Sequence, residues 1–214
     1  MEVVVNNSDC KIIISQIIDN LNDLASFFGP ATETIVNQAQ RRFKSLHRHR
    51  EWLTSRAILR AELGKDVEVA YHACGRPQLC GNNLNISISH SKTHVAVMLS
   101  HYNNIGVDIE SPSARIKSLQ SRIACQKELP VAFDILNQDI QIAHLTTLWT
   151  IKEAAYKSMP LQDGVDMLRD IVVNGSAVLC APCASHYRIK GLAEACIAHT
   201  FLYQDNYCTY TVLS

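Results

Sequence analysis

Asp108 and Glu110 alternate with Val107 and Ile109 in the run Gly106-Val107-Asp108-Ile109-Glu110. In a β-strand, residues two apart point to the same face. The two carboxylates therefore aim together, and the two aliphatic side chains aim the other way, into a core. Adjacent carboxylates repel each other unless a positive charge lies between them. The commonest partner for two hard oxygen ligands is Mg²⁺, which takes few protein carboxylates and completes its shell with water and substrate phosphates. The plainer reading is an amphipathic edge strand with two solvated acids, and the pentapeptide alone favours it.

A second stretch shifts that balance. Trp149-Thr150-Ile151-Lys152-Glu153-Ala154-Ala155-Tyr156-Lys157 is rich in helix formers and has neither Gly nor Pro. On a helix, Trp149, Lys152 and Tyr156 share a face, and Glu153 and Lys157 are spaced i, i+4. A single surface Glu–Lys pair contributes only a few tenths of a kcal/mol. The combination of this helix with the acidic strand carries the signal.

Two further blocks precede them, Gly75-Arg76-Pro77 and Asn85-Ile86-Ser87-Ile88-Ser89-His90-Ser91. With all four in order, the chain resembles the 4′-phosphopantetheinyl transferase superfamily, in its larger single-chain, surfactin-synthetase-activating type. The resemblance covers residues 75 to 157 and thins outside them. Two stretches depart from the family pattern. Met159–Gly164 stands where a Gly-rich turn is usual, and Ser111-Pro112 where a basic run is usual.

The resemblance implies an α+β fold. It would have two similar helix-plus-antiparallel-sheet halves, 1–112 and 113–214, related by a pseudo-two-fold axis with the active site in the cleft between them. It implies transfer of the phosphopantetheine arm of coenzyme A to a serine of an apo acyl or peptidyl carrier protein, with 3′,5′-adenosine bisphosphate leaving. Mg²⁺ would be held by Asp108, Glu110 and Glu153. Glu153 would also be the base for the serine proton, and Lys157 would stabilise phosphate charge and protonate the leaving group. Coenzyme A would be bound by Arg48, Arg56, Arg76, Pro77, Ser89, His90, Lys152 and Lys157. The first two lie in a local basic cluster, Arg41 to Arg56, that ends in Glu51-Trp52-Leu53-Thr54-Ser55-Arg56. A solvated helix face is the plainer account of several of these cations, and a strand-end histidine is that of His90.

Composition bounds the rest. The 214 residues make one large domain or two small ones, and 47 % apolar content supports a packed core. Net charge is zero, which argues against nucleic-acid binding through a basic surface. No stretch approaches the roughly 20 apolar residues of a membrane span. The N-terminus has no secretory pattern. The expectation is a cytoplasmic monomer with no membrane partner. Of the eight cysteines, only Cys180 and Cys183 have C-x-x-C spacing, with no second ligand pair nearby.

Along the chain, residues 1–5 and 11–18 read as strands or a strand and a short helix, and 33–63 as a helix ending at Gly64. Residues 84–89, 94–100 and 104–110 read as a meander. Residues 115–126 and 140–159 read as helices, and short apolar runs at 168–173, 176–180, 186–190, 195–202 and 207–213 as a second meander. Two other functions compete: a Mg²⁺-dependent nucleotide or phosphoester hydrolase using the same three acids, and a coenzyme A-binding or carrier-docking module that has lost turnover.

Overall fold

A computed structural model of the protein describes residues 1–64, 67–159, 164–174 and 181–213. Helices and antiparallel strands alternate in blocks, as expected for an α+β chain. The chain divides into two units, Met1–His101 and Tyr102–Ser214.

In the first unit, β1 (Glu2–Asn6) and β2 (Lys11–Gln16) pair across a turn closed by the Asn7 side chain, which accepts from the backbone N–H groups of Asp9 and Cys10. Three helices follow: α1 (Leu21–Phe28), α2 (Thr32–Arg42) and α3 (Leu46–Leu63). The expected helix over 33–63 is thus two. Phe43 is extended (φ −128°, ψ 149°), and the guanidinium groups of Arg42 and Arg48 each lie 5.7 Å from its ring. At its far end α3 closes on Gly64 in the left-handed region, φ 68°. A short hairpin, β3 (Val69–Tyr71) and β4 (Pro77–Leu79), precedes β5 (Asn85–His90) and β6 (His94–Ser100). The sheet order is β1-β2-β6-β5. Ile58 and Leu59 of α3 pack on Ile13, Ile86, Val95 and Val97, each worth about 1.5–3 kcal/mol when fully buried.

The second unit begins with β7 (Asn104–Glu110). The expected meander stops before it. Both edges of β6 are already taken, by β2 and β5, so β7 has no partner there and joins another sheet. That sheet has the order β7-β11-β10-β9-β8. Its other strands are β8 (Ile171–Val173), β9 (Cys183–Ile189), β10 (Cys196–Tyr203) and β11 (Asn206–Leu213). The unit boundary therefore falls before the acidic strand and not after it. Residues 115–126 form a 3₁₀ turn, Ala114–Leu119, and a single helical turn, α4 (Gln120–Ile123). The long helix α5 (Gln138–Ser158) is capped by Asn137, which accepts from Asp139 N–H. A short α6 (Met167–Asp170) leads into β8. Leu148, Ile151 and Ala155 of α5 pack on Ile171, Val173, Tyr187, Ile189 and Ala198. The expected run at 176–180, Cys180 and residues 160–163 after α5 lie outside the described residues. Among the described residues no helix is long and apolar enough to cross a membrane.

Candidate active site

The acidic strand is set on α5 by a glycine. A Cβ on Gly106 would stand 1.8 Å from the Ala154 carbonyl oxygen and 3.0 Å from Ser158 N. Only a residue without a side chain lets the helix backbone lie this close. Asp108, the next residue on that face, then meets the last turn of α5. Lys157 Nζ lies 2.7 Å from Asp108 Oδ1 and donates also to the Val107 carbonyl at 3.2 Å. On the neighbouring strand Thr209 stands opposite Asp108. Its hydroxyl lies 2.7 Å from that of Thr150 on α5 and 2.8 Å from that of Thr200. Val107 and Ile109 are fully buried on the opposite face, as the alternation predicts.

The electrostatics show that the three acids share one neighbourhood. Burial, then the charge of Asp108, pushes the Glu110 carboxyl up to about 7, with Glu153 adding to the rise and Lys157 and Trp149 opposing it. Burial also raises Glu153, with Lys157 opposing and Asp108 adding. Two carboxylates whose proton affinity is raised by burial and by a neighbouring acid are the donor chemistry a hard divalent cation relieves. Among the described residues no three acid, His or Cys side chains are drawn together as a ready-made ligand trio. The Lys157 ammonium is the cation that meets Asp108. By charge and ligand type the donor set fits a divalent metal.

Lys152 is a correction. Expected on phosphate oxygens, it is fully buried. Its ammonium lies 2.9 and 3.0 Å from the two carboxylate oxygens of Glu128 and 2.9 Å from the Leu168 carbonyl. Glu128 is itself fully buried and also accepts from the backbone N–H groups of Cys125 and Val173. One residue apart on a helix means about 100° of rotation. Lys152 therefore faces the closed interior while Glu153 turns toward β7.

The basic residues of the first unit gather around a cavity of about 270 Å³, lined by Arg42, Phe43, Arg48, Glu51, Trp52, Tyr71, Pro77 and His90 among others. Arg48 and His90 stand at its wall. Arg56 does not. It is only 7 % exposed, its guanidinium 4.6 Å from the Trp52 ring and 3.0 Å from Tyr71 OH, so it supports the wall from behind. Burial holds its pKa below the usual arginine value. Ser89 is buried within β5, opposite Ala96. Pro77 lines the cavity from the hairpin, and Arg76 is half-buried at its turn, where the His72 N–H donates to the Arg76 carbonyl at 2.9 Å.

Sequence reasoning missed three residues. Gly106 was read only as part of a motif. Tyr71 carried no signal, because its partners Arg42 and Arg56 come from other elements. Glu51 did carry one: it is spaced i+3 from Arg48 and i+4 from His47, and it bonds both, at 2.8 and 3.0 Å.

Fold and donor set define a class: an α+β protein with a strand-and-helix site of carboxylates and lysine suited to phosphate chemistry. The sequence profile of the 4′-phosphopantetheinyl transferase superfamily matches residues 104–195. That span holds Asp108, Glu110, Glu153 and Lys157. The chain is 31 % identical over 113 residues to the 4′-phosphopantetheinyl transferase AcpT of Escherichia coli K12, covering 51 % of this chain and 57 % of that protein. It is 30 % identical over 113 residues to the AcpT of Salmonella typhi, covering 51 % and 58 %. The matches thus span little more than half the length of these relatives. Over those residues the acidic strand and α5 are similar to the 4′-phosphopantetheinyl transferase superfamily.

Proposed function

We propose that this chain transfers the 4′-phosphopantetheine moiety of coenzyme A to a serine hydroxyl of an apo carrier protein, acyl or peptidyl. The observation that carries this reading is the meeting of Asp108 and Lys157 beside two carboxylates of raised proton affinity. The serine oxygen attacks the pyrophosphate phosphorus that bears the pantetheine arm. The new P–O bond replaces the one to 3′,5′-adenosine bisphosphate, which leaves. Glu153 takes the serine proton as general base. Lys157 offsets the charge on the phosphate and can return a proton to the leaving oxygen. Mg²⁺, held by Asp108, Glu110 and Glu153, would supply Lewis-acid neutralisation of the pyrophosphate when bound. Arg48 and His90, with Pro77 and Arg76 on the hairpin, bind the anionic and nucleotide parts of coenzyme A, an assignment that rests on the resemblance. The reading includes a monomer acting in the cytoplasm.

The test is incubation with coenzyme A, Mg²⁺ and an apo carrier protein, followed by intact mass. Appearance of the phosphopantetheine adduct on the carrier supports transfer. Cleavage of coenzyme A with no adduct supports the hydrolase. Binding without either product supports a silent module.

A further inference from the structure

The coenzyme A cavity contains an acid where anions are to bind. Glu51 is only 6 % exposed. Its Oε1 lies 3.0 Å from His47 Nε2 and 3.1 Å from His90 Nδ1, and its Oε2 accepts from Arg48 Nη1 at 2.8 Å. Arg48 Nη1 also contacts His90 Nε2. An arginine only donates, so Nε2 must accept, and the imidazole proton sits on Nδ1 and is donated to Glu51. Glu51 thus ties two side chains from different elements, α3 and β5, to one buried point. The Arg48 side chain is 48 % exposed, and these contacts engage its Nη1 alone.

Two physical effects of such an acid oppose each other. Its charge weakens the attraction for a phosphate by Coulomb's law. Its hydrogen bonds remove the freedom that a long side chain would otherwise lose on binding, which favours affinity. Three donors meet on this one buried carboxylate. We infer that Glu51 is a positioning residue for phosphate binding, holding Arg48 against His90 in the arrangement that receives a phosphate group of coenzyme A. This rests on the reading of the cavity given above and deepens it.

The two effects give opposite signs for one substitution. Binding of coenzyme A and of 3′,5′-adenosine bisphosphate is measured by calorimetry on the full chain and on Glu51→Gln, Glu51→Asp and Arg48→Ala. Positioning predicts that Glu51→Gln weakens both ligands on the order of tenfold. It also predicts a raised KM for coenzyme A with kcat unchanged at saturation. Glu51→Asp keeps the charge but is one methylene shorter, so it weakens binding too, and it serves if the Gln variant does not fold. Equal or tighter binding by Glu51→Gln, or wild-type binding by Glu51→Asp, overturns the inference while leaving the cavity as the binding site. Wild-type affinity in Arg48→Ala removes the cavity from coenzyme A binding and takes this inference with it.

Discussion

Lys157 Nζ sits 2.7 Å from Asp108 Oδ1, and this ion pair joins the acidic strand to the long helix. It sits beside Glu110 and Glu153, whose pKa values both respond to Asp108 and Lys157. One cation thus pairs with Asp108 and acts on the charge of two further acids. The arrangement leaves room in charge for a second, divalent one.

Glu153→Gln keeps size and removes basicity. Transfer should fall on the order of 10²–10⁴-fold, the usual contribution of a general base, while coenzyme A binding persists. Asp108→Asn should lose metal affinity and recover in part at higher Mg²⁺. Steady-state rates across a Mg²⁺ titration separate the two. If added Mg²⁺ returns Glu153→Gln to the wild-type rate, the base lies elsewhere.

Gly106→Ala inserts a methyl group into the Ala154 carbonyl. The helix must shift away from β7, at a cost of about 1–3 kcal/mol for overpacking. The expected outcome is a lower Tm together with a loss of transfer larger than the loss of folded protein explains. Wild-type turnover in a folded Gly106→Ala protein would show that the Asp108–Lys157 contact tolerates displacement.

Glu110 carries a pKa raised from 4.5 to about 7, so its protonated form is favoured in the folded, metal-free protein. The unfolded chain releases that proton at the ordinary carboxylate pKa. The stability it contributes is therefore fully present below about 4.5 and is lost as pH rises through about 7. Thermal unfolding in chelator across this range should show that decline, and Glu110→Gln should flatten it. An unchanged profile in the variant would remove Glu110 as the source.

Lys152→Ala leaves the buried Glu128 carboxylate without its cation. Breaking one partner of a buried pair costs about 3–5 kcal/mol, so the variant should unfold at markedly lower temperature. A phosphate-contacting lysine predicts the reverse pattern, a raised KM for coenzyme A with an unchanged Tm. Denaturation and kinetics on the same preparation decide between them.

The alternation in 106–110 made the shared face of Asp108 and Glu110 legible, because the strand period is two. The i, i+4 spacing likewise put Glu153 and Lys157 on one side of α5. The strand's partner was not legible. Alternation tells which face a side chain takes, not which strand lies beside it. That β6 was already flanked by β2 and β5 is a property of the whole first sheet. The basic cluster was visible, but its division was not. Arg48 reaches the cavity and Arg56 the space behind Trp52, two turns further along α3.

By itself, then, the sequence determined an α+β chain with two acids on one strand face, a Glu–Lys helix and the superfamily motifs in order. Those features are local periodicities, and local periodicity is written in neighbouring residues. Only the tertiary structure decided which lysine serves the site and which the core. Lys152 and Lys157 are alike in composition and helix. The rotation of α5, fixed by Glu128 behind it and by the missing side chain of Gly106 in front, buries one and brings the other to Asp108. Such a rotation comes from contacts between residues far apart in the chain, which no spacing along it records.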